Sequence, residues 1–353
     1  MRSHSTFDEA TLKSRSIEQD LAQNPKRYRV LTGDRPTGPL HIGHYFGTLQ
    51  NRVRLQNLGI QTFVLIADYQ VLTDRDSSTA IASYVEELLL DYLAIGLDPI
   101  KTDTVIFNHS AIPELNQLLI PFLTLVSVPE LERNPTVKDE IRAAGLNLIN
   151  GAMLTYPVHQ AADILFCKGN LVPVGKDQLP HLELARKIAR RFNERYAPVF
   201  PEPDALLSNA PTILGLDGHQ KMSKSRNNAL FLRSTADETA RLIKTAKTDS
   251  ERLITYEPDR RPEVANLLRL IGLCTEQTPE AIAHQIGDQG SGKLKTLLIE
   301  ALNAYFAPVR EYRCQLESDR SYLRQILQEG NSKARKIAIE TLAEVSKAMK
   351  MCY

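Results

Sequence analysis

Two groups of side chains suited to phosphate chemistry stand far apart in the sequence. Pro39-Leu-His-Ile-Gly-His44 places two imidazoles and a glycine where the spacing of Tyr45, Phe46, Leu49, Val53 and Leu55 predicts a helix to begin. A helix start offers unpaired N–H groups and the positive end of the helix dipole. Gly43 would admit a ligand to that backbone, and His41 and His44 would donate to its phosphate oxygens. Gln50, Asn51, Arg52 and Arg54 are left for the opposite face of the helix. The second group, Gly215-Leu-Asp-Gly-His-Gln-Lys-Met-Ser-Lys-Ser225, alternates Lys221 and Lys224 with Ser223 and Ser225 in a glycine-flanked loop. Lysines there can grip a polyphosphate while the hydroxyls orient it. Taken singly, the histidines also fit helix capping and the lysines a solvated loop.

These groups need a scaffold, and the surrounding sequence supplies one. Tyr28–Thr32 reads as a strand running into the turn formers Asp34-Arg-Pro-Thr-Gly38, and Gln61–Ala67 as a strand covered on both faces. Ser83–Ile95 reads as a helix stopped by Gly96 and Pro99, and Thr104–Phe107 as a further strand. Alternating strands and helices imply an α/β fold with a Rossmann-like parallel sheet, whose ligands bind beyond the carboxyl ends of the strands. Past residue 228 helical patterns take over, in Asp237–Lys247, Pro262–Leu273, Pro279–Ile286, Leu294–Leu316 and Ala334–Met349. The expected organisation is a polar N-terminal extension (1–27), a catalytic domain with a helical insertion around 75–150 (28–228), and an all-helical C-terminal domain (229–353).

Composition narrows the function classes. In 353 residues, 43 Lys and Arg oppose 42 Asp and Glu, so a uniformly basic coat for non-specific nucleic-acid binding is excluded and RNA would meet a local patch. No apolar run reaches the ~20 residues that span a bilayer. Cys167, Cys274, Cys314 and Cys352 are too scattered for a zinc site or a disulfide framework, which implies a cytoplasmic protein with no metal of its own. The first thirty residues lack the apolar core of a secretory signal.

In combination, His41-Ile-Gly-His44 and Lys221-Met-Ser-Lys-Ser225 resemble the paired HIGH and KMSKS signatures of class I aminoacyl-tRNA synthetases. Thr32–His44, Glu132-Arg-Asn-Pro-Thr-Val-Lys138, Tyr156–Asp163 and Val172-Pro-Val-Gly-Lys-Asp-Gln178 are similar to the tryptophanyl members, and the resemblance runs from about residue 28 to the C-terminus. It implies ATP-dependent activation of L-tryptophan, followed by transfer to tRNA(Trp), in a cytoplasmic homodimer with no membrane or DNA partner. Catalysis would rest on His41, His44, Lys221 and Lys224, with Mg²⁺ arriving on ATP. Carried over by residue, the ATP site would comprise Arg35, Pro36, Thr37, Gly43 and His44, then Gly175, Lys176 and Asp177, then Thr212, Ile213 and Leu214 at the adenine edge, and Lys221, Met222, Ser223, Lys224 and Ser225.

Tyr156, Gln160 and Asp163 fall on one helical stripe, and the resemblance makes Asp163 the acceptor for an indole N–H. Gln160 departs from the methionine of many bacterial relatives and is similar to the tyrosyl enzymes, so tyrosine is the rival substrate. A non-catalytic tryptophan- or RNA-binding relative is the alternative of another class, although it would have no reason to keep both signatures. Lys333, Arg335, Lys336, Lys347 and Lys350 supply cations for anticodon contacts, unless the last helix packs back on the catalytic domain. The dimer interface would fall around Phe122–Leu131. Gly287-Asp-Gln-Gly-Ser-Gly-Lys293 imitates a phosphate loop, but Leu294 replaces the needed hydroxyl and a helical pattern precedes it. The basic run Ala185–Arg195 is flanked by Glu183 and includes Glu194, as a solvated helix face would be.

Overall fold

The computed structural model describes residues 6–73, 80–144, 149–207 and 212–352. Five strands, β1 (Arg29–Asp34), β2 (Gln61–Ile66), β3 (Thr104–Asn108), β4 (Leu171–Val174) and β5 (Asp204–Leu207), form one sheet in the order β3-β2-β1-β4-β5. All pairings are parallel, with β1 in register against β2 from Arg29↔Gln61 to Asp34↔Ile66. The α/β architecture expected from the sequence is therefore present. Alternation along β2 and β3 divides their apolar side chains between two cores: Val64, Ile66 and Ile106 enter one, and Phe63, Leu65, Val105 and Phe107 the other. Burial on both faces accounts for the unbroken apolar runs.

Chain order reverses between β1 and β4, and in such sheets the crevice beyond that switch point holds the ligand. Helix α1 (Thr6–Leu21) covers the outer strand: Ile17 and Leu21 are buried with Leu206, and Leu207 N–H donates to Ser14 Oγ. Residues 6–21 are thus part of the fold rather than a polar tail; a covering helix needs only a narrow apolar stripe, which composition hides. Helix α2 runs on from β1 as Ile42–His44, a wide turn Tyr45–Leu49, and Gln50–Asn57. Helices α3 (Ile81–Ala94), α4 (Gly151–Leu165) and α5 (Leu179–Arg195) flank the sheet. The segment around 75–150, expected to be a helical insertion, contains β3 and so contributes to the sheet; its residues 74–79 and 145–148 lie outside those described.

Helices Ala236–Lys244, α6 (Pro262–Thr275), Pro279–Ile286, α7 (Gly290–Glu317) and α8 (Arg320–Ala348) make up the C-terminal part. The last begins well before the expected Ala334 and packs on the edge strand β3. A Cβ on Gly330 would lie 1.9 Å from the Ile106 carbonyl oxygen, so only glycine allows this approach. Thr341 Oγ1 donates to Phe166 O at 2.7 Å, and Arg335 pairs with Glu114. Leu267, Leu298, Leu302 and Phe306 share a core with Phe46, Leu89 and Val64, so both halves of the chain pack on common ground. Of the loop imitating a phosphate site, Gly287–Gln289 joins two helices and Gly290–Lys293 opens α7, with Gly287 and Gly290 at positive φ. Arg186, Arg190 and Arg191 of the basic run pair with Glu183, Glu202 and Glu130. No helix among the described residues is long and apolar enough to cross a membrane.

Candidate active site

A cavity of about 850 Å³ opens at the carboxyl ends of β1 and β4. The start of α2 forms one wall. His41 Nδ1 accepts the His44 N–H at 3.3 Å while His44 Nδ1 accepts the His41 N–H at 3.2 Å, a reciprocal cap, and the two rings stack with centroids 3.6 Å apart. With both Nδ1 atoms accepting, Nε2–H is the donor of each neutral ring. Burial pulls His41 down to about 2 and His44 to about 4, their mutual repulsion and nearby Lys224 adding to the effect at His41. Both rings are therefore neutral near pH 7 and present N–H donors, not cations.

The lysine–serine loop folds over this helix start. Ile42 N–H donates to Leu230 O at 2.9 Å, Leu232 N–H to Leu40 O at 3.0 Å, and His41 pairs with Phe231. A Cβ on Gly43 would come within 3.3 Å of Met222 Cβ and 3.0 Å of the His41 ring, so the glycine lets the loop close. Lys224 Nζ donates to Gly38 O at 2.7 Å, and Ser223 Oγ lies 3.0 Å from Ser225 Oγ. Asn227 takes the left-handed conformation that ends the loop, and Asn228 Oδ1 accepts the Ser223 N–H.

Of the residues the sequence reading names for the site, Arg35, Thr37, His41, His44, Gly175, Lys221, Met222, Ser223, Lys224 and Ser225 line the cavity with Tyr156, Gln160 and Asp163. Pro36, Gly43, Lys176, Asp177, Thr212, Ile213 and Leu214 do not line it. Gly43 acts through packing, and Asp177 Oδ1 lies 2.6 Å from where a Gly175 Cβ would be. Thr212 is exposed, while Ile213 O accepts the Met222 N–H and Leu214 pairs with Lys221, so this segment braces the loop instead of edging the cavity.

Residues the sequence reading passed over complete the wall: Asp34, Arg52, Gln70, Glu140, Gln178 and Arg226. Arg52 does not face solvent with Arg54 but is 3% exposed, pairing with Asp34, which Tyr92 also bonds at 2.7 Å. Asp34 is held at about 2, because the Arg52 charge and its hydrogen bonds outweigh the burial that would raise it. With that pair neutralised, Arg35, Lys221, Lys224 and Arg226 face Glu140 and Asp163, a surplus of positive charge suited to a polyanion.

At the far end Asp163 is 1% exposed, with Oδ1 2.7 Å from His109 Nε2 and Oδ2 3.4 Å from Gln70 Nε2. Tyr156 Oη lies 3.0 Å from His181 Nε2. Thr136 N–H occupies Asn134 Oδ1, which turns the Asn134 amide nitrogen toward His181 Nδ1, so the neutral His181 ring donates from Nε2 to Tyr156. Burial lowers His181 to about 4 and raises Tyr156.

Known proteins share this arrangement. Residues 23–307 match the profile of the tRNA synthetases class I (W and Y). The tryptophan–tRNA ligase of Treponema pallidum is 42% identical over 91% of this chain and 96% of its own length, and that of Clostridium longisporum 43% over 92% and 97%. The crystal structure of tryptophanyl-tRNA synthetase from Campylobacter jejuni, complexed with ADP and tryptophan, superimposes with a TM-score of 0.80 at 33% identity, covering 91% of this chain and 99% of its own. With its two signature segments joined over one cavity that Asp163 also lines, the chain belongs to the tryptophanyl branch of the class I aminoacyl-tRNA synthetases.

Proposed function

We infer that this chain is an ATP-dependent tryptophan–tRNA ligase. A carboxylate oxygen of L-tryptophan attacks the α-phosphorus of ATP, the bond to the bridging oxygen breaks, and pyrophosphate leaves. A hydroxyl of the terminal ribose of tRNA(Trp) then attacks the acyl carbon and AMP departs. Such chemistry is driven by positioning and by stabilising negative charge, so no nucleophile from the protein is needed. ATP enters with its own Mg²⁺.

Within this reading His41 and His44 donate to phosphate oxygens, Lys221 and Lys224 meet the β- and γ-phosphates, and Asp163 accepts the indole N–H while Tyr156 and Gln160 shape the pocket. The single observation that carries the reading is the Gly43–Met222 contact, which unites the two signatures over one cavity ending in Asp163. A homodimer is proposed through the region of Phe122–Leu131, where Val128 is 57% exposed with Ile120 nearby at 68%. The C-terminal helices are proposed to read the anticodon, and four free, scattered cysteines support a cytoplasmic location. The test is amino-acid-dependent ATP–pyrophosphate exchange: tryptophan is expected to drive it and tyrosine not. Exchange driven by tyrosine alone, or tryptophan binding without exchange, would overturn the reading.

A further inference from the structure

We propose that His109, a fully buried residue outside the cavity wall, is a positioning residue for amino-acid recognition: it holds the Asp163 carboxylate in the orientation that reads an indole N–H. The proposal rests on the function inferred above. A carboxylate as buried as Asp163 is costly without donors. His109 Nε2 supplies one to Oδ1 at 2.7 Å, whereas Gln70 meets Oδ2 only at 3.4 Å, a weak contact that leaves this oxygen with capacity for a ligand's donor.

The imidazole is itself fixed. Its ring stacks on Tyr69, and its Nδ1 lies 4.0 Å from Asp68 Oδ1. Asp68 is gripped at the end of β2 by Asn108 Nδ2 at 2.8 Å and by the Ser110 N–H at 3.1 Å and hydroxyl at 2.5 Å. Asn108 in turn exchanges two hydrogen bonds with Asn331 of α8, at 3.0 and 3.1 Å, where Gly330 lets that helix touch the sheet. Hydrogen bonds therefore run from the last helix through Asn108 at the end of β3 to Asp68 beyond β2, and Asp68 sets its charge 4.0 Å from the Nδ1 edge of the ring that holds the pocket acid. His159 packs on the His109 ring with centroids 4.6 Å apart. The Asn116 amide nitrogen donates to the carbonyls of His109 and Ile112, which leaves its Oδ1 to accept His159 Nε2–H at 2.7 Å.

His109, His159 and Asp163 also place ligand atoms within 4.8 Å of one another, as a metal site would. Hydrogen bonding is the better account, since the Nε2 atoms of both rings are already engaged by Asp163 and Asn116.

The test compares L-tryptophan with its isostere carrying sulfur in place of the indole N–H, in ATP–pyrophosphate exchange. His109→Ala is expected to raise the tryptophan KM about 10- to 100-fold, the range for a hydrogen bond to a charged group. The preference for tryptophan over the isostere should fall by the same factor, with the ATP KM within about twofold of wild type. His109→Gln, which can present an N–H near the Nε2 position, should recover most of the preference. Should the alanine variant not fold, Asn331→Ala, which releases the backbone and side chain of Asn108 directly before His109, carries the same signature at about two- to fivefold, the scale of a neutral hydrogen bond. Equal losses for both amino acids, an unchanged preference, or one equivalent of tightly held zinc lost in His109→Ala would overturn the proposal. Absence of tryptophan-driven exchange in the wild type would instead overturn the parent reading.

Discussion

The neutral histidines at the start of α2 leave a measurable trace in stability. His44 is depressed to about 4 and His41 to about 2, whereas the unfolded chain protonates its histidines near 6.5. Below pH 6.5 the unfolded state binds more protons, so these residues contribute stability that is full above 6.5 and is lost progressively as pH falls toward 4. Thermal melts from pH 7.5 to 5 should show a falling Tm, with a smaller fall in His44→Asn. Asp34, held at about 2, acts only below its unfolded value of 3.8 and leaves that window clear. Lys224 is bonded to Gly38 O, and on the proposed function it exchanges that partner for phosphate. Lys224→Ala should therefore lower kcat for exchange about 100-fold or more while changing the ATP KM less, because charge placed for the transition state governs rate. Stopped-flow exchange kinetics separate the two effects. The sequence makes Lys224 conspicuous but hides Arg52, because a guanidinium on an amphipathic helix looks solvated until Asp34 is brought beneath it.

At the scale of elements, the contact between α2 and the lysine–serine loop is set by one missing Cβ. Gly43→Ala would push the His41 ring and Met222 apart, and a displacement of this kind costs about 10- to 100-fold in kcat. The tryptophan KM should hardly move, since Asp163 is held by His109 and Gln70 and not by this contact; steady-state exchange with each substrate varied in turn checks this. β1, β2 and β3 are legible in the sequence because they are apolar over their whole length. β4 and β5, four residues each, are too short for periodicity to show, and α1 carries too few apolar residues to stand out from a polar tail.

Across the whole molecule, the helical half is tied to the nucleotide site through Arg313. This α7 side chain is 7% exposed and donates to Asp91 Oδ1 at 2.9 Å, while Asp91 Oδ2 accepts the Leu40 N–H directly before His41. Burial already pushes the Asp91 carboxyl up, against the opposing pull of Arg313. Arg313→Leu leaves that acid without its cation and should cost about 3–5 kcal/mol. Urea titration is expected to show a lower midpoint with an unchanged slope. Because α6 and α7 share their core with α2, α3 and β2, wild-type unfolding should be a single transition by circular dichroism and tyrosine emission. Two transitions would show that the halves stand independently.

Residue types and their order along the chain were enough to give the reaction class, the α/β frame and the two signature segments that meet over the cavity. Those properties are local: a glycine and two histidines at a helix start, or alternating lysines and serines, carry their chemistry wherever they fold. The closure of Met222 on Gly43, the Arg52–Asp34 pair, the Asn331–Asn108 bonds and the His109–Asp163 bond join residues from separate elements. Their geometry, and the charge states that burial imposes on them, arise only when packing removes water and fixes which donor meets which acceptor.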